Sequence, residues 1–270
     1  MIFIITGMKR LIIFTFALAL GLSACKKDQS WDNSAARDNS TAENYFSDMF
    51  AVVNNVSQNT SGIRTYFYSC IDTVIVDTTV SPRTAIIDFG TDDCIGLDGK
   101  MRKGKLNVTY TGRYRDAGTV ITVTPENYYV DGSLVQGSKT ITNMGLNGSG
   151  QPHYHIVVNG TITTAGTTVT YLSDRTRTWV AGYDTADDWF DDEYDITGSG
   201  SGINRLGNHY TASITTALHV ETICPWIESG EMSVTPDDGT ARIINFGSGA
   251  CNPGYTITVN GNTVEINGGD

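Results

Sequence analysis

Positive charge is in short supply. The 270 residues carry 18 Lys and Arg and four His against 29 Asp and Glu, a net charge of −11. That balance excludes nucleic acid as a partner, because phosphate binding needs a basic footprint. An anionic membrane surface would repel the protein for the same reason. Long apolar runs are missing as well. The run from Leu11 to Leu22 spans 12 residues, short of the roughly 20 that a membrane-spanning helix needs. No G-x-S-x-G, P-loop, dinucleotide fingerprint or H-E-x-x-H occurs, and no CxxC pair, so none of the motif-bearing enzyme classes is indicated. No catalytic residue is assigned. A glycoside hydrolase needs only two carboxylates about 5–10 Å apart, which leaves no spacing in sequence, and it stays as a second alternative.

Helical periodicity is scarce too, and period two takes its place. Gly, Thr, Ser and Asn abound, with Val, Ile, Thr and Tyr in alternating runs. In "KLNVTYT" Leu106, Val108 and Tyr110 share one face; in "HYHIVV" Tyr154, Ile156 and Val158 do. About a dozen antiparallel strands are expected, as a sandwich or a long curved sheet, with one apolar and one polar face. Asn260-Gly261 and Ala165-Gly166 are placed to turn tight hairpins. One amphipathic helix is expected at about 41–57, opened by a Ser40/Glu43 capping box and carrying Phe46, Met49, Phe50, Val53 and Val56 on its apolar stripe. Residues 25–39 are polar and read as a flexible tether ahead of a β-rich domain at 40–270.

The N-terminus has the layout of a secretory signal: Lys9 and Arg10, the apolar run, then Leu22-Ser23-Ala24-Cys25. Ending on Leu-Ser-Ala-Cys, residues 1–24 resemble a bacterial lipoprotein signal. That resemblance implies that Cys25 is acylated, with palmitate-type chains, and becomes the first mature residue. Removing Lys9 and Arg10 leaves 16 basic residues against 29 acidic ones, a net −13. The lipid would then hold the protein at the outer membrane, facing the periplasm or the cell surface.

One phrase is written twice: "IIDFGTDDC" at 86–94 and "IINFGSGAC" at 243–251. Each copy has a cysteine upstream, Cys70 and Cys224, and a turn-like stretch between, "TTVSPR" and "TPDDGT". The midpoints, Pro82 and Asp237/Asp238, fall in those turns, so each pair should face across a hairpin, in related units at about 63–112 and 220–270. With Cys25 acylated, four cysteines remain in an exported chain, an even count that reads as two disulfides. Of three connectivities the repeat favours Cys70–Cys94 and Cys224–Cys251. Bridges over loops of this size would contribute roughly 3–4 kcal/mol each. Phe89 and Phe246 should anchor the core, with Gly90 and Gly247 permitting a bulge or turn. The "DFG…C" phrase, together with "CPWIESG" at 224–230, resembles domains of uncharacterised Bacteroidota lipoproteins, a likeness that carries no known chemistry.

Candidate ligands are mostly acidic. "DTADDWFDDEYD" supplies Asp187, Asp188, Asp191, Glu193 and Asp195, hard oxygen donors suited to Ca²⁺. The spacing is not that of an EF-hand, and a solvated acidic loop is the competing reading. His153 and His155 share a strand face and could share a metal if His209 or His219 came from another strand. No resident cofactor is otherwise indicated. Aromatics at 65–68, Tyr128, Tyr129, Trp179, Tyr183 and Trp226 could stack on glycans, or lie in the core. The expectation is a non-enzymatic structural or binding module with a glycan or protein partner; a carbohydrate-binding lipoprotein of a nutrient-uptake system is the first alternative.

Overall fold

The protein is described from a computed structural model, in residues 32–57, 70–96, 98–185, 188 and 190–267. Cys25, the expected signal segment and the aromatics at 65–68 lie outside the described residues. The chain after Trp31 forms one compact unit. It consists of helix α1 (Ser34–Ser57) and fourteen strands: β1 (Thr73–Asp77), β2 (Arg83–Asp88), β3 (Cys94–Ile95), β4 (Met101–Tyr110), β5 (Val120–Val130), β6 (Ser133–Leu146), β7 (Pro152–Thr164), β8 (Thr167–Ala181), β9 (Glu193–Ile203), β10 (His209–Glu221), β11 (Ser229–Pro236), β12 (Arg242–Ser248), β13 (Tyr255–Val259) and β14 (Asn262–Ile266). All belong to one antiparallel sheet in which sequence neighbours pair, with β3 appended to β4. The mainly β expectation holds, as the single curved sheet and not the sandwich. Consecutive pairing needs only short turns, and both expected hairpin turns form. Asn260 and Gly261, and Ala165 and Gly166, take positive φ between paired strands.

Alternation sets the two faces. Leu106, Val108, Val123, Ile141, Tyr154, Ile156, Val158, Leu218, Met232, Val234 and Ile244 all point to the buried side, where each removes apolar surface from water. Bulges or irregularities interrupt the register in seven of the pairings and bend the sheet. Gly104 shows why a side chain is not tolerated at such a bend. Its φ is +87°, and a Cβ there would lie 1.9 Å from the Asn127 carbonyl oxygen. Among the described residues no helix is long and apolar enough to cross a membrane.

The helix differs from its expected form in two ways. It begins at Ser34, so residues 34–39 of the expected tether are folded. Its first turn is capped by Asp32, whose carboxylate accepts from the Ser34 N–H at 2.9 Å. Ser40 and Glu43 are not a capping box; both are buried inside the helix. The helix is also not amphipathic on a sheet surface. From Ser34 to Val53 no residue is exposed, because the bent sheet wraps it and brings β5, β8, β10 and β11 against it.

The two copies of the repeated phrase behave alike in their strands and differently in their cysteines. Ile87 and Phe89, and Ile244 and Phe246, are buried, and Gly90 and Gly247 take φ of 81° and 95°. Cys224 and Cys251 form the expected disulfide, with Cα atoms 5.7 Å apart. Cys70 and Cys94 are free thiols, which corrects the expected second bridge. The reason is register. Thr73 pairs with Asp88, so the hairpin is centred near residue 80 and not on Pro82. Cys94 moves past its partner into β3, opposite Arg102, and the Cys70 Sγ contacts the Cys94 carbonyl oxygen at 3.3 Å instead.

Phe46 locks the helix onto the sheet. It stacks on Tyr171 with centroids 5.7 Å apart and lies over Gly160 on β7, where a Cβ would come 2.2 Å from Phe46 Cζ. Gly160→Ala should therefore lower the stability of the folded chain by about 1–3 kcal/mol. Urea denaturation measures this; a loss below about 0.5 kcal/mol would contradict so close an approach.

Candidate functional site

The buried helix carries three acids, Asp38, Glu43 and Asp48, each no more than 6% exposed. Five-residue steps turn about 140° around a helix axis, so the three carboxylates leave in three different directions. Each meets a cation. Asp38 accepts from the Arg205 backbone N–H and Nε, both at 2.7 Å. Glu43 accepts from Arg175 on β8 at 2.8 Å and from the Tyr171 hydroxyl. Asp48 accepts from Arg102 on β4 through Nη2 at 2.6 Å and Nε at 3.1 Å, and from Lys100 at 3.2 Å. Asp98 takes the other side of the Arg102 guanidinium. Burial alone would raise the Glu43 and Asp48 carboxyls. Their cationic neighbours outweigh it and hold both below the ordinary range.

Beside this seam lies a cavity of about 360 Å³ between the helix, strands β6 to β10 and the loop Thr222–Ile227, within the size range of small-ligand sites. Phe50, Ile156, Val158, Ile196, Val220 and Ile227 give it apolar walls. Its charged lining is Lys139, Arg175 and Arg177 with Glu43, Asp48, Asp98 and Glu221. Lys139 on β6 is buried and donates to the Phe46 carbonyl oxygen at 2.8 Å. Arg177 on β8 stacks face-on against Tyr194 and Phe50, at 3.5 and 4.8 Å to the ring centroids. Stacking uses the guanidinium faces and leaves its N–H edge for an acceptor. Arg177 Nε, and Arg175 Nε and Nη1, are buried with no hydrogen-bond partner. Burial, with Arg177 and Arg175 close by, pushes the Lys139 ammonium down to about 7, the Glu43 carboxylate offsetting part of this.

None of these cations was singled out from sequence, yet a signal for them exists. In "VTYLSDRTRTW" Arg175 and Arg177 fall in phase with Val169, Tyr171 and Trp179, and Lys139 falls in phase with Val135 and Ile141. A charge on the apolar phase of a strand marks a buried partner or a ligand.

The residues expected to hold a metal separate. Asp187 lies outside the described residues. Asp188 accepts from the Phe190 N–H at 3.0 Å, and Asp191 from the Thr185 hydroxyl at 2.6 Å. Only Glu193 and Asp195, on β9, point to another candidate: His219 Nδ1 is 2.9 Å from Asp195 and its Nε2 is 3.6 Å from Glu193. His153 and His155 share a face but have separate partners, the Gly145 carbonyl at 3.1 Å and Asp174 at 2.9 Å. Trp179 and Tyr128 are buried in the core.

No family model, no curated protein and no solved structure matches the chain. Its chemistry is read from its own geometry.

The seam and Lys139 both make stability rise with pH, in an acidic and an alkaline window respectively. Glu43 and Asp48 stabilise the fold in full above their ordinary values of 4.5 and 3.8, and this is lost as pH falls through the lowered values. Lys139, with an ordinary value of 10.5, binds a proton in the unfolded chain that the folded chain gives up near pH 7. Its contribution to stability therefore rises with pH from about 7 to 10.5. Urea denaturation of wild type and Lys139→Met across this range checks it. Wild type should gain stability relative to Lys139→Met as pH rises; a constant difference would contradict a depressed Lys139.

Proposed function

We propose that the chain is a non-enzymatic binding module, carried at the outer membrane on an acylated Cys25, whose interior cavity takes an amphipathic anion. One observation carries this reading. In a chain of net charge −11 the cavity and its seam hold five cations, Lys100, Arg102, Lys139, Arg175 and Arg177, against four acids, Glu43, Asp48, Asp98 and Glu221. Asp48, Asp98 and Glu43 pair with Lys100, Arg102 and Arg175, while Lys139 meets a backbone carbonyl and Arg177 an aromatic ring, next to apolar walls. Burying uncompensated charge is costly, and an anionic headgroup relieves that cost while an apolar tail fills the rest of the space. A carboxylate or a phosphate monoester of an alkyl chain has that chemistry.

The alternatives gain less. A glycan platform needs an exposed aromatic row; among the described residues Tyr154, Tyr171, Trp179 and Tyr194 are buried, and Tyr183 and Phe190 are exposed. A glycoside hydrolase needs a raised carboxyl and an ionised one facing the same cleft; in the cavity Glu43 and Asp48 are held low by their cations, and Asp192, which burial pushes up to about 6, does not line it.

Calorimetry on the chain from residue 26, with dodecanoate and dodecyl phosphate against dodecanol, tests the reading. One anion per chain should bind, dodecanol at least tenfold more weakly, and Arg177→Met should weaken anion binding at least tenfold. Because a bound anion favours charged Lys139, binding at pH 8 should take up a proton, seen as a buffer-dependent heat. Equal affinity for dodecanol, or an unaffected Arg177→Met, would overturn the anion reading.

A further inference from the structure

A second charged cluster stands at the lip of the cavity, and it is short of positive charge where the seam is rich in it. His219 and Glu221 alternate at the end of β10, which places them on one face. The loop after them folds back, and the Glu228 N–H donates to the His219 carbonyl oxygen at 3.0 Å. That return sets the Glu228 side chain against both. One ligand atom from each of His219, Glu221 and Glu228 lies within 4.8 Å of the others. Glu193 and Asp195 approach from the neighbouring strand β9.

Glu228 is the anomaly. It is 4% exposed, and its Oε2 has no hydrogen-bond partner. Every buried acid of the helix is met by Lys or Arg, whereas the charged neighbours of Glu228 are Glu221, Glu193 and His219. A buried carboxylate among carboxylates calls for a cation. The histidine is oriented for one. Asp195 only accepts, so the His219 Nδ1 that it meets carries the proton. In the neutral ring this leaves the Nε2 lone pair free, on the side of Glu193. A carboxylate that fixes the outer nitrogen of a histidine is the usual support of a metal-ligating imidazole.

The geometry points to a divalent-cation site formed by His219, Glu221 and Glu228, with Asp195 orienting the imidazole and Glu193 beside it. One nitrogen and two carboxylate donors suit Zn²⁺ with a remaining position for water, and suit Ca²⁺ poorly, which prefers six or more oxygens. Cys224 and Cys251 also lie against Glu228, but as a disulfide they offer no thiolate. An ion here would tie the ends of β9 and β10 to the loop that closes the cavity. Glu221 also lines the anion cavity, whereas His219 and Glu228 do not, and the metal site does not depend on the anion.

Zinc calorimetry on the full-length chain, purified in detergent, stripped with chelator and kept non-reducing, decides it. One Zn²⁺ per chain is expected, with Ca²⁺ at least tenfold weaker. Glu228→Gln and Asp195→Asn should each weaken Zn²⁺ at least tenfold. Glu228→Gln without metal should unfold at the same urea concentration as wild type or a higher one, since it removes an unpaired buried charge. Should that variant fail to fold, His219→Asn, at a partly exposed side chain, must show the same loss. No zinc heat, or zinc binding that His219→Asn and every folded Glu228→Gln preparation leave unchanged, overturns the site.

Discussion

Three carboxylates on a buried helix, each met by a cation from the surrounding sheet or its β9–β10 turn, are the constraint on which the rest of the structure depends. A helix this polar would ordinarily lie at a surface. Here Asp38, Glu43 and Asp48 leave the axis in three directions, so no single apolar stripe could satisfy it, and only a sheet bent around it supplies Arg205, Arg175 and Arg102 together. Bulges and the glycines they require make that bend. Breaking one partner of a buried pair leaves a charge stranded, so the pairs fix where along the sheet the helix sits as well as holding it there.

The same requirement separates the two proposed sites. Where the sheet offers more cations than the helix has acids, at Lys139 and Arg177, an anion would complete the balance. Where carboxylates gather without Lys or Arg, at Glu193, Glu221 and Glu228, a metal ion would. The loop Thr222–Ile227 borders both, lining the cavity and delivering Glu228, and its Cys224 is tied to Cys251. Occupancy at one site could thus be felt at the other through a short, disulfide-held segment.

Much of the sheet was legible because its cause is local. Alternation in "KLNVTYT" and "HYHIVV" and the Asn-Gly turn are properties of a few consecutive residues. The repeated Ile-Ile-x-Phe-Gly phrase likewise gave its buried Phe and its bending Gly. The helix was half legible: Phe46, Met49 and Phe50 mark its apolar side, while Ser40 and Glu43 imitate a cap although they are core. What made Glu43 a core residue is Arg175, 132 positions away, and no local pattern records that. Cys70 and Cys94 failed for a similar reason. The midpoint rule assumes a centred turn, and a shift in hairpin register moved Cys94 onto another strand. The acidic stretch hid its two useful members, Glu193 and Asp195, among neighbours that satisfy themselves locally, and only the pairing of β9 with β10 brings them to His219.

The most direct test is a double-mutant cycle at Glu43 and Arg175, read by urea denaturation. If matched charge holds the helix in the sheet, Glu43→Gln and Arg175→Met should each cost about 3–5 kcal/mol. The double variant should then cost less than the two together by about 1–3 kcal/mol. Costs that add to within about 0.5 kcal/mol would mean that the two residues do not depend on each other, and that the helix is held by its apolar contacts alone.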